Sequence, residues 1–119
     1  MVKGPQRRPA VSETEANSLF PDHLGSVAII ARSLGDENRL RLLVALQAGK
    51  KSVSRLVEEL GLSQPLVSHH LKELRRALLV KVERRGPFVY YEIADPRLTL
   101  ILENLGGLAA DLLNARQGF

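Results

Sequence analysis

Between Ser63 and Arg85 the chain gathers the residue types that bind a polyanion. Lys72, Arg75, Arg76, Lys81, Arg84 and Arg85 are opposed there only by Glu73 and Glu83. Six positive against two negative side chains equals the formal net charge of +4 for all 119 residues, so the excess is local rather than spread. A cationic patch of this kind fits a nucleic-acid partner. Two of the three histidines, His69 and His70, fall in the same window, and the third is His23. Cysteine is absent, which excludes disulfides, thiolate metal sites and thiol redox sensing. With no glycine-rich phosphate loop and no well-placed pair of carboxylates, an enzyme is not expected.

The elements that must position these residues follow from periodicity. Residues 1–12 hold Lys3, Arg7, Arg8 and two prolines with little to bury, and read as a flexible basic arm. Residues 13–119 are long enough for one domain. A first helix is expected from about Ser12 to Leu34, with Leu24, Val27, Ala28 and Ala31 at helical spacing and Gly35 closing it. Asp36 caps a second helix, whose stripe is Arg39, Leu42, Leu43 and Leu46 and which ends at Gly49. Ser52 caps a short third, with Val53, Leu56, Val57 and Leu60 on its buried face. Gly61-Leu62-Ser63 makes a tight connection into a fourth helix from Gln64 to about Ala77, where Pro65 is tolerated in the first turn. After Leu79 the period becomes two. Val80 and Val82 run out, Arg85-Gly86-Pro87 turns, and Val89, Tyr91 and Ile93 run back, which predicts a two-stranded hairpin with a basic tip. Asp95-Pro96 opens a last helix that carries apolar residues on more than one face over residues 98–113. A terminal helix of so small a domain cannot bury two faces internally, so a partner chain is implied, with the first helix as the natural neighbour. No apolar run is long enough to span a bilayer and no apolar signal core stands at the start, which points to the cytoplasm.

The fold class expected is mainly α with a two-stranded β-hairpin wing: a winged helix-turn-helix that dimerises through its first and last helices. On the fourth helix, Val67, Leu71, Leu74 and Leu78 share the side that would pack inward. At about 100° per residue, Ser68, His69, Lys72 and Arg76 point away from it. Short polar groups followed by cations suit a helix laid in the major groove of a duplex.

The strings Asp36-Glu37-Asn38-Arg39-Leu40-Arg41-Leu42-Leu43 and Leu62-Ser63-Gln64-Pro65-Leu66-Val67-Ser68-His69-His70-Leu71-Lys72-Glu73-Leu74 resemble the ArsR/SmtB family of bacterial repressors. The segment from Val82 to Tyr91 resembles that family's wing, and the likeness runs over roughly residues 24–115. It implies a homodimer on double-stranded DNA, bound to an imperfect inverted-repeat operator and released by an inducer. By position in the motif, Gln64, Ser68 and His69 would read bases, while Lys72, Arg75 and Arg76 would hold the DNA backbone. Arg84 and Arg85 would reach a minor groove or phosphates. Each has a plainer alternative. His70, flanking the buried stripe, is expected to pack or cap. Arg75 could pair with Glu73 or another acid, and Arg84 and Arg85 could form a solvated turn.

The resemblance also implies where a metal sensor would stand. The family's cysteine-containing site would fall on Ser52 and Ser54, and hydroxyls are poor ligands for thiophilic metals. Its other site, on the last helix, meets Asp95, Glu103 and Asp111 but no histidine. No cofactor is therefore expected. A nickel or zinc ion at His23, joined across a dimer by Asp22 or Glu103, is the remaining metal alternative, against a plain exposed histidine. The effector stays open between a small organic molecule held between the first and last helices, a protein, and none. Gly106-Gly107 inside the last helix suggests close helix approach at a dimer seam or a small cavity. A winged-helix protein-interaction module and a nonspecific architectural DNA binder are the rival functions. The basic outer face weighs against the first, and Gln64, Ser68 and His69 weigh against the second.

Overall fold

Short oxygen-bearing side chains mark every described helix start except that of the first, where His23 makes no side-chain cap, and each accepts a backbone hydrogen bond there. The computed structural model describes Ser12 and residues 23–116. Helix α1 spans Leu24–Leu34; the rest of the expected basic arm and the first turns of the expected first helix lie outside the described residues. Asp36 accepts from the Arg39 N–H at 3.0 Å and opens α2, Glu37–Leu46. Ser52 accepts from Arg55 at 3.1 Å and opens α3, Val53–Leu60. Ser63 accepts from Leu66 at 3.3 Å and opens α4, Gln64–Arg76. Caps of this kind satisfy otherwise orphaned N–H groups and contribute about 1 kcal/mol each. The turn between α3 and α4 needs Gly61, which sits at φ +66, where a side chain would be strained.

Strands β2 (Val80–Arg85) and β3 (Phe88–Ile93) form the wing, with Val82 opposite Tyr91 and Arg85 opposite Phe88. Their connection is Gly86-Pro87. Gly86 is at φ +60 and the proline ring enforces a negative φ, an order that matches the twist of the flanking strands. The sheet has one strand more than the hairpin expected from sequence. Strand β1, Lys51–Ser52, pairs antiparallel with β3, giving the order β1-β3-β2. Two residues are too few to show any alternation, and the free edge of β3 supplies their pairing.

The core is built from Leu42, Leu43 and Leu46 of α2, Leu56 of α3, and Val67, Leu71 and Leu74 of α4, closed by Leu79, Val80, Tyr91 and Leu98. One expected core residue is not there. Leu78 is 80% exposed. Helix α4 ends after Arg76; the Leu78 N–H donates to Arg75 O at 2.9 Å and the Leu79 N–H to Leu74 O at 3.0 Å. This exit puts Leu78 at φ +63, swings its side chain outward and returns Leu79 to the core in its place. The helical period, extended past the last helical residue, assigns the wrong leucine.

Helix α5, Arg97–Arg116, starts beside Asp95, whose carboxylate accepts from the Arg97 N–H at 2.9 Å and pairs with its guanidinium at 2.7 Å. The pairing holds the Asp95 carboxyl down to about 2, the Arg97 side chain first and its N–H second. Leu98 is buried and Leu102 half-buried against the core. The remaining leucines of α5 are exposed as the helix runs off the body, and the molecule extends 58 Å along its longest axis. Among the described residues no helix is long and apolar enough to cross a membrane.

Candidate DNA-binding surface

Helix α4 turns Val67, His70, Leu71 and Leu74 inward. That leaves Gln64, His69, Lys72, Arg75 and Arg76 exposed and Ser68 half-buried. The residues expected to read bases thus lie toward the N-terminal half of the helix and the cations toward its end. Lys72, Arg75 and Arg76 line one shallow concavity. Glu73 pairs with Arg76 at 3.0 Å, one residue further on than the pairing considered for Arg75. Spacing explains this: side chains three apart on a helix face each other, whereas two apart do not. Among the described residues no carboxylate pairs with Lys72 or Arg75.

His70 packs, as expected. It is buried, and its Nε2 lies 3.7 Å from Oδ2 of Asp36, the cap of α2. The Asp36 carboxyl is held below its ordinary value, first by the Arg39 N–H it accepts, against the opposing effect of burial, with the charges of His70 and Arg39 adding. The Arg39 side chain donates from Nε to Ser33 O at 2.7 Å and from a terminal nitrogen to Arg32 O at 3.1 Å, satisfying the end of α1. One polar chain therefore runs from the exit of α1, through the cap of α2, to the inner face of α4. Sequence reasoning missed it, because Asp36 and His70 are far apart in sequence and no local spacing links them.

In the wing, adjacent residues alternate between faces. Val80, Val82 and Arg84 share the core-side face, and Lys81, Glu83 and Arg85 the other. Arg84 and Arg85, considered from sequence as a pair, therefore diverge. Glu83 accepts from Lys50 Nζ at 2.6 Å and from Arg85 Nε, and these two bonds hold its carboxyl below the usual range. Arg84 has no carboxylate partner among the described residues. Phe88, opposite Arg85 at the tip, is 54% exposed and was not singled out from sequence. Its position after Gly86-Pro87, on the phase opposite to Val89, is the signal that would have found it.

The positions implied for a metal do not converge within one chain among the described residues. Ser52 and Ser54 stand 3.2 Å apart, and the Ser52 hydroxyl is already engaged as the α3 cap. Asp95 is paired with Arg97, and Glu103 and Asp111 are exposed. His23 is exposed at the start of α1, and Asp22 lies outside the described residues. Among the described residues no three His, Cys, Asp or Glu side chains gather as a metal group would. Between α1, the exit of α4 and the start of α5 lies a cavity of about 460 Å³, lined largely by apolar residues such as Ile29, Leu78 and Ile101.

A helix-turn-helix whose second helix carries this outer face, followed by a β-hairpin, defines a winged helix-turn-helix protein of the DNA-binding class. Residues 36–82 match the profile of bacterial regulatory proteins of the arsR family. A probable mercury resistance operon repressor from Streptomyces lividans is 34% identical over 88% of this chain and 85% of its own. Reduced HlyU from Vibrio cholerae is 30% identical with a TM-score of 0.65, over 82% of this chain and 97% of the other. The solution structure of a homodimeric winged helix-turn-helix DNA-binding domain from Mycobacterium bovis has a TM-score of 0.68 at 24% identity, over 87% and 92% of the two chains. The chain belongs to the arsR family of bacterial regulatory proteins, which are DNA-binding transcriptional regulators rather than enzymes.

Proposed function

We propose that this chain is a homodimeric cytoplasmic repressor that reads an inverted-repeat operator in double-stranded DNA. Helix α4 enters the major groove, where Gln64, Ser68 and His69 contact base edges and Lys72, Arg75 and Arg76 hold phosphates. Arg84 reaches DNA from the core-side face of the wing and Arg85 from the other. The observation that carries this reading is the outer face of α4, with exposed polar groups first and cations last, two of them without a carboxylate partner among the described residues.

A homodimer is supported by the exposed apolar residues of α1 and α5. Gly106 and Gly107 face open space, since an added Cβ would meet nothing within 4 Å, so no packing within the described residues accounts for them. The Mycobacterium bovis domain of the same fold is homodimeric. The Streptomyces relative is described by mercury resistance, but this chain has no cysteine with which to bind a thiophilic metal. We infer that any effector, if the chain has one, acts without a thiolate of this chain.

The test is binding to DNA from the chain's own upstream region and to a scrambled duplex of equal length, at several salt concentrations and with chelator present. Tight, selective binding supports the reading. Release on adding nickel or zinc would favour a metal site at His23. Absence of binding to either duplex at low salt would favour a protein-interaction module.

A further inference from the structure

Leu78 combines two features that are unfavourable in an isolated chain. At φ +63 it is the one non-glycine residue in the left-handed region among the described residues, and its side chain is 80% exposed. That conformation is strained for any residue with a Cβ, and helix exits of this geometry favour glycine. No burial offsets the strain, because Leu79 occupies the core position beside Leu74. Leu78 lines the cavity of about 460 Å³ together with Ile29 of α1 and Ile101 of α5. From Ile101 the exposed apolar surface continues along α5 through Leu105, Leu108 and Leu112, at three- and four-residue spacing. Of the large apolar side chains exposed among the described residues, all but Val44 and Phe88 lie on α1, on α5 or at Leu78. Leu78 is therefore continuous with the surface assigned above to the dimer.

We propose that a second copy of this chain docks on Leu78 as well as on α1 and α5, so that the dimer seam takes hold of the recognition helix at its exit. The proposal rests on the homodimer reading and adds a linkage to it. Docking buries a leucine that the single chain leaves both strained and wet. It also braces the turn in which the Leu79 N–H donates to Leu74 O, and that turn sets how α4 leaves the core. Arg76, one of the proposed phosphate contacts, lines the same cavity, so the seam and the DNA-facing cations meet within three residues. Assembly and the pose of α4 are then coupled through one side chain, and loosening the seam at Leu78 frees the end of the helix that reads DNA.

The experiment is sedimentation over a concentration series for the wild-type chain, Leu78→Ala, Leu78→Gly and Leu105→Asp, with thermal unfolding of each under monomeric conditions. Because a twofold seam uses each contact twice, truncating Leu78 removes two buried side chains per dimer and should weaken dimerisation about a hundredfold. Leu78→Gly should at the same time unfold at a higher temperature than Leu78→Ala as a monomer, since glycine accepts the left-handed backbone, so misfolding does not confound it. Leu105→Asp should be monomeric. Both Leu78 variants dimerising as tightly as wild type, with Leu105→Asp still monomeric, would overturn the role of Leu78 and leave the homodimer standing. A wild-type chain that stays monomeric throughout would overturn both.

Discussion

Lys72, Arg75 and Arg76 share one concavity but differ in what DNA must displace. Arg76 gives up its bond to Glu73, an exposed pair that contributes at most about 1 kcal/mol, whereas Lys72 and Arg75 have no such partner among the described residues. Each alanine substitution at Lys72 or Arg75 should reduce the dependence of log affinity on log salt by about one unit, on operator and random DNA alike. His69→Ala should behave differently, with operator affinity falling and nonspecific affinity unchanged; equal loss on both would remove its base-reading role. Asp36 is a residue on which two elements depend. Its carboxyl is held below 3.8, so the stability it confers is complete above that pH and is lost as pH falls through the depressed value. Denaturant midpoints of wild type and Asp36→Asn, which keeps a capping oxygen without the charge, should therefore converge as pH falls from neutral through the depressed Asp36 value. A constant gap across that range would show that the charge does not contribute. Spacing alone could have given the Glu73–Arg76 pair from sequence. The contact between Asp36 and His70 could not have been read that way, because it exists only once α2 and α4 pack.

At the scale of elements, the helix starts were legible because a cap is a local signal: Asp36, Ser52 and Ser63 each precede an apolar period and each accepts from the third residue on. Helix exits are less local. The exit at Ala77 depends on which leucine the core accepts, and periodicity cannot choose between Leu78 and Leu79. The wing was legible as an alternation, but the divergence of Arg84 and Arg85 needs the register with β3. This divergence makes a specific expectation. Arg84→Ala should flatten the salt dependence more than Arg85→Ala, because Arg85 is already held by Glu83, and the double substitution should lose up to about two units of slope. An unchanged slope in the double variant would take the wing out of the interface. Gly86→Ala should cost about 1 kcal/mol of stability through backbone strain at φ +60, read as a lower denaturant midpoint.

For the whole molecule, an apolar surface on α1 and α5 is the feature a single chain does not explain. The sequence showed that the last helix has more apolar residues than one domain can bury, and α5 indeed anchors only Leu98 and Leu102 in the core. What covers the rest was not legible, because periodicity counts apolar faces without naming their partners. A seam formed by α1, α5 and Leu78 would hold two copies of α4 at a fixed separation, which is how a twofold protein matches an inverted repeat. The most direct test of the whole account is the affinity of wild type and His69→Ala for upstream and scrambled duplexes across a salt series. The account predicts tight, selective binding by wild type and, for His69→Ala, a loss confined to the upstream duplex with an unchanged salt slope. Equal wild-type affinity for both duplexes, or no binding to either at low salt, would contradict it.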